Sequence, residues 1–250
     1  MAQHSPLPAQ AIVLAAGRGE RMRPLTDHSP KPLLPVQGKP LLAWHLAALA
    51  HSGVRQAVIN TAWLEEQIPD YFGDQTEGMA LRYSLEGRDF GGALETAGGI
   101  ARALPGLADV FWVVAGDVYT PDFPFDPAAL QRLAASPLLA HLWLVPNPAH
   151  HPQGDFGLSA QGLALNLPAE HPGPRHTYST IGVYKRAFFE APLCDIPAGN
   201  PQGVKAALGP LLRRAMDQGL VSAELYSGRW TDVGTPERLA QLNSPQPETA

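Results

Sequence analysis

Between Leu14 and Thr26 the chain reads Leu-Ala-Ala-Gly-Arg-Gly-Glu-Arg-Met-Arg-Pro-Leu-Thr, and Pro30-Lys-Pro-Leu-Leu-Pro35 follows. Gly17 and Gly19 permit sharp turns and close approach, so that amide N–H groups can face an anion. Arg18, Arg21, Arg23 and Lys31 gather positive charge over the same stretch. A triphosphate needs such surroundings, although a glycine turn beside a solvated basic face would use the same residue types. Spacing excludes two common nucleotide loops: G-x-G-x-x-G would require glycine where Met22 stands, and the G-K-[ST] ending of a P-loop is absent.

Two acidic residues stand where a hard divalent ion could use them. Asp117 follows the apolar run Val110-Phe-Trp-Val-Val114, and Asp232 lies in Gly228-Arg-Trp-Thr-Asp-Val-Gly-Thr-Pro-Glu237. Each has an ordinary alternative, since Asp117 could cap the next turn and Asp232 could serve the turn before a helix with Thr235 as N-cap and Pro236 in its first turn.

Secondary structure must place these groups together. Ala11 to Ala16 and Val110 to Val114 read as strands buried on both faces, as in a parallel sheet, and Gln56 to Asn60 as another strand. Helix period appears from Pro40, with Leu42, Leu46 and Leu49 on one stripe and Gly53 at the C-cap, and again from about Glu95 to Leu104. This alternation predicts a doubly wound sheet whose ligands bind beyond the carboxyl ends of its strands. In the second half Leu138 to Val145, Gly157 to Leu167 and Tyr178 to Tyr184 read as strands of an insertion covering the sheet edge, before helices at Val204 to Gln218 and Pro236 to Asn243.

Composition narrows the class further. At 250 residues, with 45% hydrophobic and only 16% charged residues, the chain can build one well-buried domain. A net charge of −5 provides no global positive field for nucleic acid or anionic lipid. The single cysteine, Cys194, precludes an internal disulfide, and no Cys/His cluster suggests structural zinc. The run Ala11 to Ala16 is too short for a signal peptide or a membrane span, so a cytoplasmic protein is expected. Flexible termini are expected at residues 1–10 and 244–250.

The ordered pair of segments from Leu14 to Pro35 resembles the sugar-phosphate nucleotidyltransferase family, whose members carry L-A-A-G-x-G-x-R-[LM]-x-P-L-T and then P-K-P-[LM]. The resemblance implies a single-domain, Rossmann-like α/β/α sandwich over residues 11–243, with a mixed, mainly parallel central sheet of the nucleotide-diphospho-sugar transferase type. It implies catalytic roles for Arg21 and Lys31 on the triphosphate, the leaving pyrophosphate above all, with Leu14, Ala15, Ala16, Gly17 and Gly19 against the nucleotide. The segment around Asp232 resembles the family's W-x-D-[VI]-G-T-P loop, so Asp117 and Asp232 would hold Mg2+, with Asp117 also beside the nucleotide. The reaction implied is in-line attack of a sugar-phosphate oxygen on the α-phosphorus, without a covalent enzyme intermediate.

Further residues follow from the same resemblance. Glu86, in a loop the family uses to read the base, would accept the N3–H of uracil, and Gly91 and Thr96 complete the nucleotide set. Leu94-Glu-Thr-Ala-Gly-Gly99 resembles the family's L-x-T-[AG]-G-[GAS] helix start and puts Glu95 and Gly99 at the sugar. Asn147-Pro-Ala-His-His-Pro-Gln-Gly-Asp-Phe156 resembles the N-P-x-H-H-x-x-G-D-F loop of the bacterial N-acetylmuramate 1-phosphate uridylyltransferases, which makes Asn147 and Asp155 sugar-pocket candidates. His150 and His151 are not expected to form a metal site, because adjacent side chains point apart. Ser179 stands where small residues line the sugar pocket, and Lys205 replaces the lysine that relatives carry in Glu-Lys-Pro, absent here between Asn166 and Arg175.

The expected partners are therefore UTP and a sugar 1-phosphate, with no nucleic acid and no membrane, in a monomer or small homo-oligomer. Competing expectations are the same chemistry on glucose or mannose 1-phosphate, a non-catalytic nucleotide-sugar sensor, and phosphocholine cytidylyl transfer, which would need an aromatic cage. No β-helix or acetyltransferase extension is expected after the last helix.

Overall fold

The computed structural model describes residues 10–168 and 170–244. The expectation of flexible termini falls, for residues 1–9 and 245–250, outside that range. Among these residues eight strands form the central sheet: β1 (Gln10–Leu14), β2 (Gln56–Thr61), β3 (Gln75–Thr76), β4 (Met79–Leu85), β5 (Val110–Ala115), β6 (Ala140–Val145), β7 (Thr177–Lys185) and β8 (Val221–Leu225). Their spatial order is β8-β6-β7-β5-β1-β2-β4-β3. The pairs β5/β1, β1/β2, β2/β4 and β6/β8 are parallel. Only β7, antiparallel to β5 and β6, and the edge strand β3 run the other way.

Among the described residues seven α-helices flank the sheet: α1 (Leu41–His51), α2 (Gln67–Phe72), α3 (Glu86–Phe90), α4 (Glu95–Ala103), α5 (Ala128–Ala134), α6 (Leu208–Asp217) and α7 (Pro236–Asn243). Strand period sorts the core into two layers. Ile12, Phe111, Val113 and Tyr184 face α4 and α6, whereas Val13, Trp112, Val114 and Val183 face α1, α2 and α5. Trp112 stacks on Trp143 with ring centroids 5.1 Å apart, so the central and outer strands share one apolar layer. This is the expected α/β/α sandwich.

Three sequence expectations change in detail. Residues 140–145 and 177–185 do not form an edge insertion, because they join the main sheet beside β5. The strand expected from Gly157 to Leu167 is a hairpin of Gly157–Leu158 and Ala164–Leu165, turning through Gly162 at φ 78°. The helix expected from Val204 begins only at Leu208, since the backbone before it is committed elsewhere: Ala206 O accepts from Ala97 N and Gly98 N, and Ala206 N donates to Leu94 O.

A third apolar cluster matters for function. Met22, Leu34 and Val36 from the basic loop pack with Leu41, Tyr119, Val233 and Leu239, so the loop, α1 and α7 share one hydrophobic anchor. Beside it His45 is buried on α1 and donates from Nε2 to the Val118 carbonyl at 2.7 Å. Burial pushes the His45 pKa down from 6.5 to about 4, against the opposing influence of that hydrogen bond.

Below the ordinary histidine pKa the unfolded chain takes up a proton that the folded state refuses. Stability is complete above about pH 6.5 and is lost as pH falls toward 4, by up to about 3 kcal/mol. Urea unfolding of wild type and His45→Gln across this range should show a shallower acid loss in the variant; parallel pH dependences would contradict a neutral, buried His45.

Candidate active site

The sheet twist and strand order leave a cleft of about 550 Å³ at the carboxyl ends of β1, β2 and β5. Its volume lies in the range of small-ligand sites, ~300–1,000 Å³. Leu14, Ala15, Ala16, Gly17 and Gly19 form one wall, Asn60, Glu95 and Thr96 another, and Arg21, Lys31, Ala115, Asp117, Thr180 and Gly234 are also among the lining.

The basic loop is folded by its own glycine. Gly19 has φ 67°, and a Cβ there would stand 3.0 Å from Thr26 Cγ2 and 3.3 Å from Lys31 Cβ. Thr26 Oγ1 donates to Gly19 O at 2.9 Å, closing the loop on itself. The four basic residues then divide. Arg23 pairs with Asp27 at 2.8 Å, while Arg18 bonds the Thr26 carbonyl and lies over the Trp63 ring at 3.4 Å. Arg21 and Lys31 are left for the cleft, and among the described residues Arg21 has no ion-pair partner.

Lys31 is the more constrained of the two. Its side chain is only 9% exposed and its Nζ donates to Asp117 Oδ2 at 2.8 Å. Asp117 is placed by the end of β5, and its carbonyl accepts from Val233 N at 2.9 Å. Val118–Tyr119 pairs antiparallel with Thr231–Asp232, with Val118 opposite Asp232. This short ladder joins the segments that carry the two acidic residues: Asp117 lines the cleft, and Asp232 lies off the lining with Oδ2 beside Gly234, which does line it. Asp232 is itself held by Arg238, whose Nη1 also donates to His150 Nε2 at 2.8 Å. The donor set suits a hard cation that takes one or two carboxylates and keeps waters and phosphate oxygens. Asp117 Oδ1 and Asp232 Oδ2 have no hydrogen bond among the described residues.

Residues 10–248 match the nucleotidyl transferase family. The chain belongs to that family. It is 47% identical over 94% of its length to the N-acetylmuramate alpha-1-phosphate uridylyltransferase of Neisseria meningitidis serogroup B, covering 97% of that protein. It is 32% identical over 90% of its length to a UTP–glucose-1-phosphate uridylyltransferase of Synechocystis, covering 60% of it. A crystal structure from Bacillus anthracis, described as a glucose-1-phosphate thymidylyltransferase in complex with sucrose, shares the fold with a TM-score of 0.76. That likeness covers 94% of each chain at 19% identity.

Other candidate residues of this nucleotidyl transferase lie off the cleft lining. Glu86 is not in a loop but opens α3, fully buried. Its oxygens accept from Asn60 Nδ2 and Leu94 N, both at 2.8 Å, and burial raises its pKa. A Cβ on Gly99 would meet Glu86 Oε1 at 2.6 Å, so that glycine makes room for the carboxylate. Gly91, at φ 75°, ends α3. Asn147 bonds the carbonyls of Pro152 and Arg175 and the Thr177 hydroxyl, and Asp155 accepts from Tyr178 N. Both brace the loop of residues 146–156 against β7. Lys205 is exposed beside the backbone that docks on α4.

Sequence reasoning missed Asn60, Thr180 and Gly234. Asn60 Oδ1 accepts from Ala15 N at 2.9 Å and so fixes the wall that begins at Leu14; its place at the end of β2 was the available signal. Ser179, expected at the sugar, is fully buried, its hydroxyl accepting from Ile181 N and its carbonyl from Trp230 Nε1. The register of β7 shifts between Tyr178 and Gly182, and this bulge turns Thr180, at φ 64°, into the cleft instead.

The Lys31–Asp117 pair generates a stability prediction. Asp117→Asn leaves a buried ammonium without its counter-charge and should cost about 1–3 kcal/mol. Lys31→Met replaces that ammonium by an apolar chain of similar length and should cost less. Urea midpoints in the reverse order would mean that the Lys31 charge is not buried against Asp117.

Proposed function

We propose that the protein transfers the uridylyl group of UTP to N-acetylmuramic acid α-1-phosphate, giving the UDP-sugar and pyrophosphate. The observation that carries this reading is the cleft itself: two unlike charges, Lys31 and Asp117, meet 2.8 Å apart at the ends of a parallel sheet, beside a glycine loop rich in backbone donors. The 47% identity to a uridylyltransferase acting on that sugar phosphate supports the substrate. The product class makes the enzyme a step in recycling cell-wall sugar to a peptidoglycan precursor in the cytoplasm.

In this reading the amides of Ala16 to Gly19 face the nucleotide, and the absent side chains at Gly17 and Gly19 let it approach. Arg21, exposed and unpaired among the described residues, takes the β- and γ-phosphates. Lys31 exchanges Asp117 for a phosphate oxygen and neutralises charge that grows on the leaving pyrophosphate. Glu95, exposed on the lining at φ 58°, is aimed at sugar hydroxyls. No side chain is required as nucleophile, because the attacking oxygen belongs to the sugar phosphate. Mg2+ held by Asp117 and Asp232 would draw charge from the phosphate oxygens and align the two substrates. Glu86 acts on the base only through the wall it braces, since both its oxygens are occupied.

Glucose 1-phosphate is the second candidate acceptor, on the 32% identity to a glucose-1-phosphate uridylyltransferase. Pyrophosphate release with Mg2+ should be measured across UTP, dTTP, GTP, CTP and ATP against N-acetylmuramate, N-acetylglucosamine, glucose and mannose 1-phosphates. UTP with N-acetylmuramate 1-phosphate should exceed every other pair, and Asp117→Asn should lower that rate by about two orders of magnitude or more. Preference for another pair would replace the substrate, and binding without release would make the protein a sensor.

A further inference from the structure

Asp232 is gripped by Arg238, a donor with a second nitrogen to spare. Arg238, in the first turn of α7, folds back so that Nη1 bonds Asp232 Oδ1. His150 brings its Nε2 to 2.9 Å from the same oxygen and 2.8 Å from Arg238 Nη1. Arginine can only donate, so His150 Nε2 accepts from Arg238 Nη1. Arg238 is then the donor on that carboxylate, and His150 holds the guanidinium in place.

The same cluster opens on the cleft. Arg238 Nη2 has no acceptor among the described residues. It lies 2.6 Å from where a Cβ on Gly234 would stand, and Gly234 lines the cleft. Glycine at this position therefore leaves a planar donor within reach of a ligand that lies over it.

We infer that Arg238, held in place by His150, is the subsite that reads an acidic substituent on the sugar, here the lactyl carboxylate of N-acetylmuramic acid α-1-phosphate. The inference rests on the proposed reaction: Nη1 stays on Asp232 Oδ1 while Oδ2 is open to the divalent cation, and Nη2 meets the substrate's carboxylate over Gly234. A neutral sugar leaves Nη2 without that acceptor while the Arg238 side chain is only 15% exposed, so selectivity comes from a penalty as well as an attraction.

N-acetylmuramic acid and N-acetylglucosamine α-1-phosphates differ only in the lactyl ether. Their kcat/KM values should be compared in wild type, Arg238→Gln and His150→Gln, with calorimetric affinities for the two UDP-sugar products in Mg2+ measured alongside. Each variant should lose about tenfold or more of the wild-type preference for the lactyl sugar, in turnover and in product affinity. His150→Gln lies on an exposed loop and keeps the test decisive if Arg238→Gln disturbs α7. An equal loss on both sugars, or an unchanged preference in both variants, overturns the subsite and leaves Arg238 a prop for Asp232. Wild type that discriminates against the lactyl sugar overturns the proposed substrate before any variant is made.

Discussion

A lysine ammonium removed from water must have a counter-charge, and Lys31 has Asp117. Much of the cleft is arranged around that requirement. The basic loop turns at Gly19 and packs Thr26 against Lys31, Met22 and Leu34 anchor it in the third apolar cluster, and β5 ends where its carboxylate can meet the ammonium. A pair of this kind contributes little net stability, because desolvation offsets attraction. In the proposed reaction its value is a charge that can change partners: a phosphate oxygen takes the lysine, and the freed carboxylate is left in place for a cation.

Backbone and side-chain braces keep that exchange in register. The ladder between Val118–Tyr119 and Thr231–Asp232 ties the segment carrying Asp117 to the one carrying Asp232, and His45 pins Val118. Asn60 links Ala15 to Glu86, and Glu86 in turn holds the start of the chain into α4. Positive φ at Glu95 and Thr180 marks the lining positions where the surrounding structure sustains backbone strain. The nucleotide wall is thus built from hydrogen bonds between strand ends, and the opposite wall from a bulge and a glycine.

The parts that were legible in the sequence are local. The strands around Val13 and Trp112 are continuous apolar runs, α7 starts at the cap and proline that announce it, with Thr235 Oγ1 accepting from Arg238 N, and the loop from Gly17 to Lys31 carries its chemistry in consecutive residues. What was not legible depends on contacts between distant segments. Burial of Glu86 follows from Asn60 and Gly99, the exchange of Ser179 for Thr180 from a bulge, and the seat of His150 from a loop laid across Asp232. Periodicity carries no trace of any of these. The division of the basic residues, with Arg18 and Arg23 turned to Asp27 and Trp63, is equally a tertiary outcome.

The most direct measurement is a crystal structure of the protein with Mg2+ and a non-hydrolysable UTP analogue. The account predicts one cation touching both Asp117 and Asp232, with Lys31 Nζ moved from Asp117 to a phosphate oxygen. Phosphates bound elsewhere while the Lys31–Asp117 pair stays closed would contradict it.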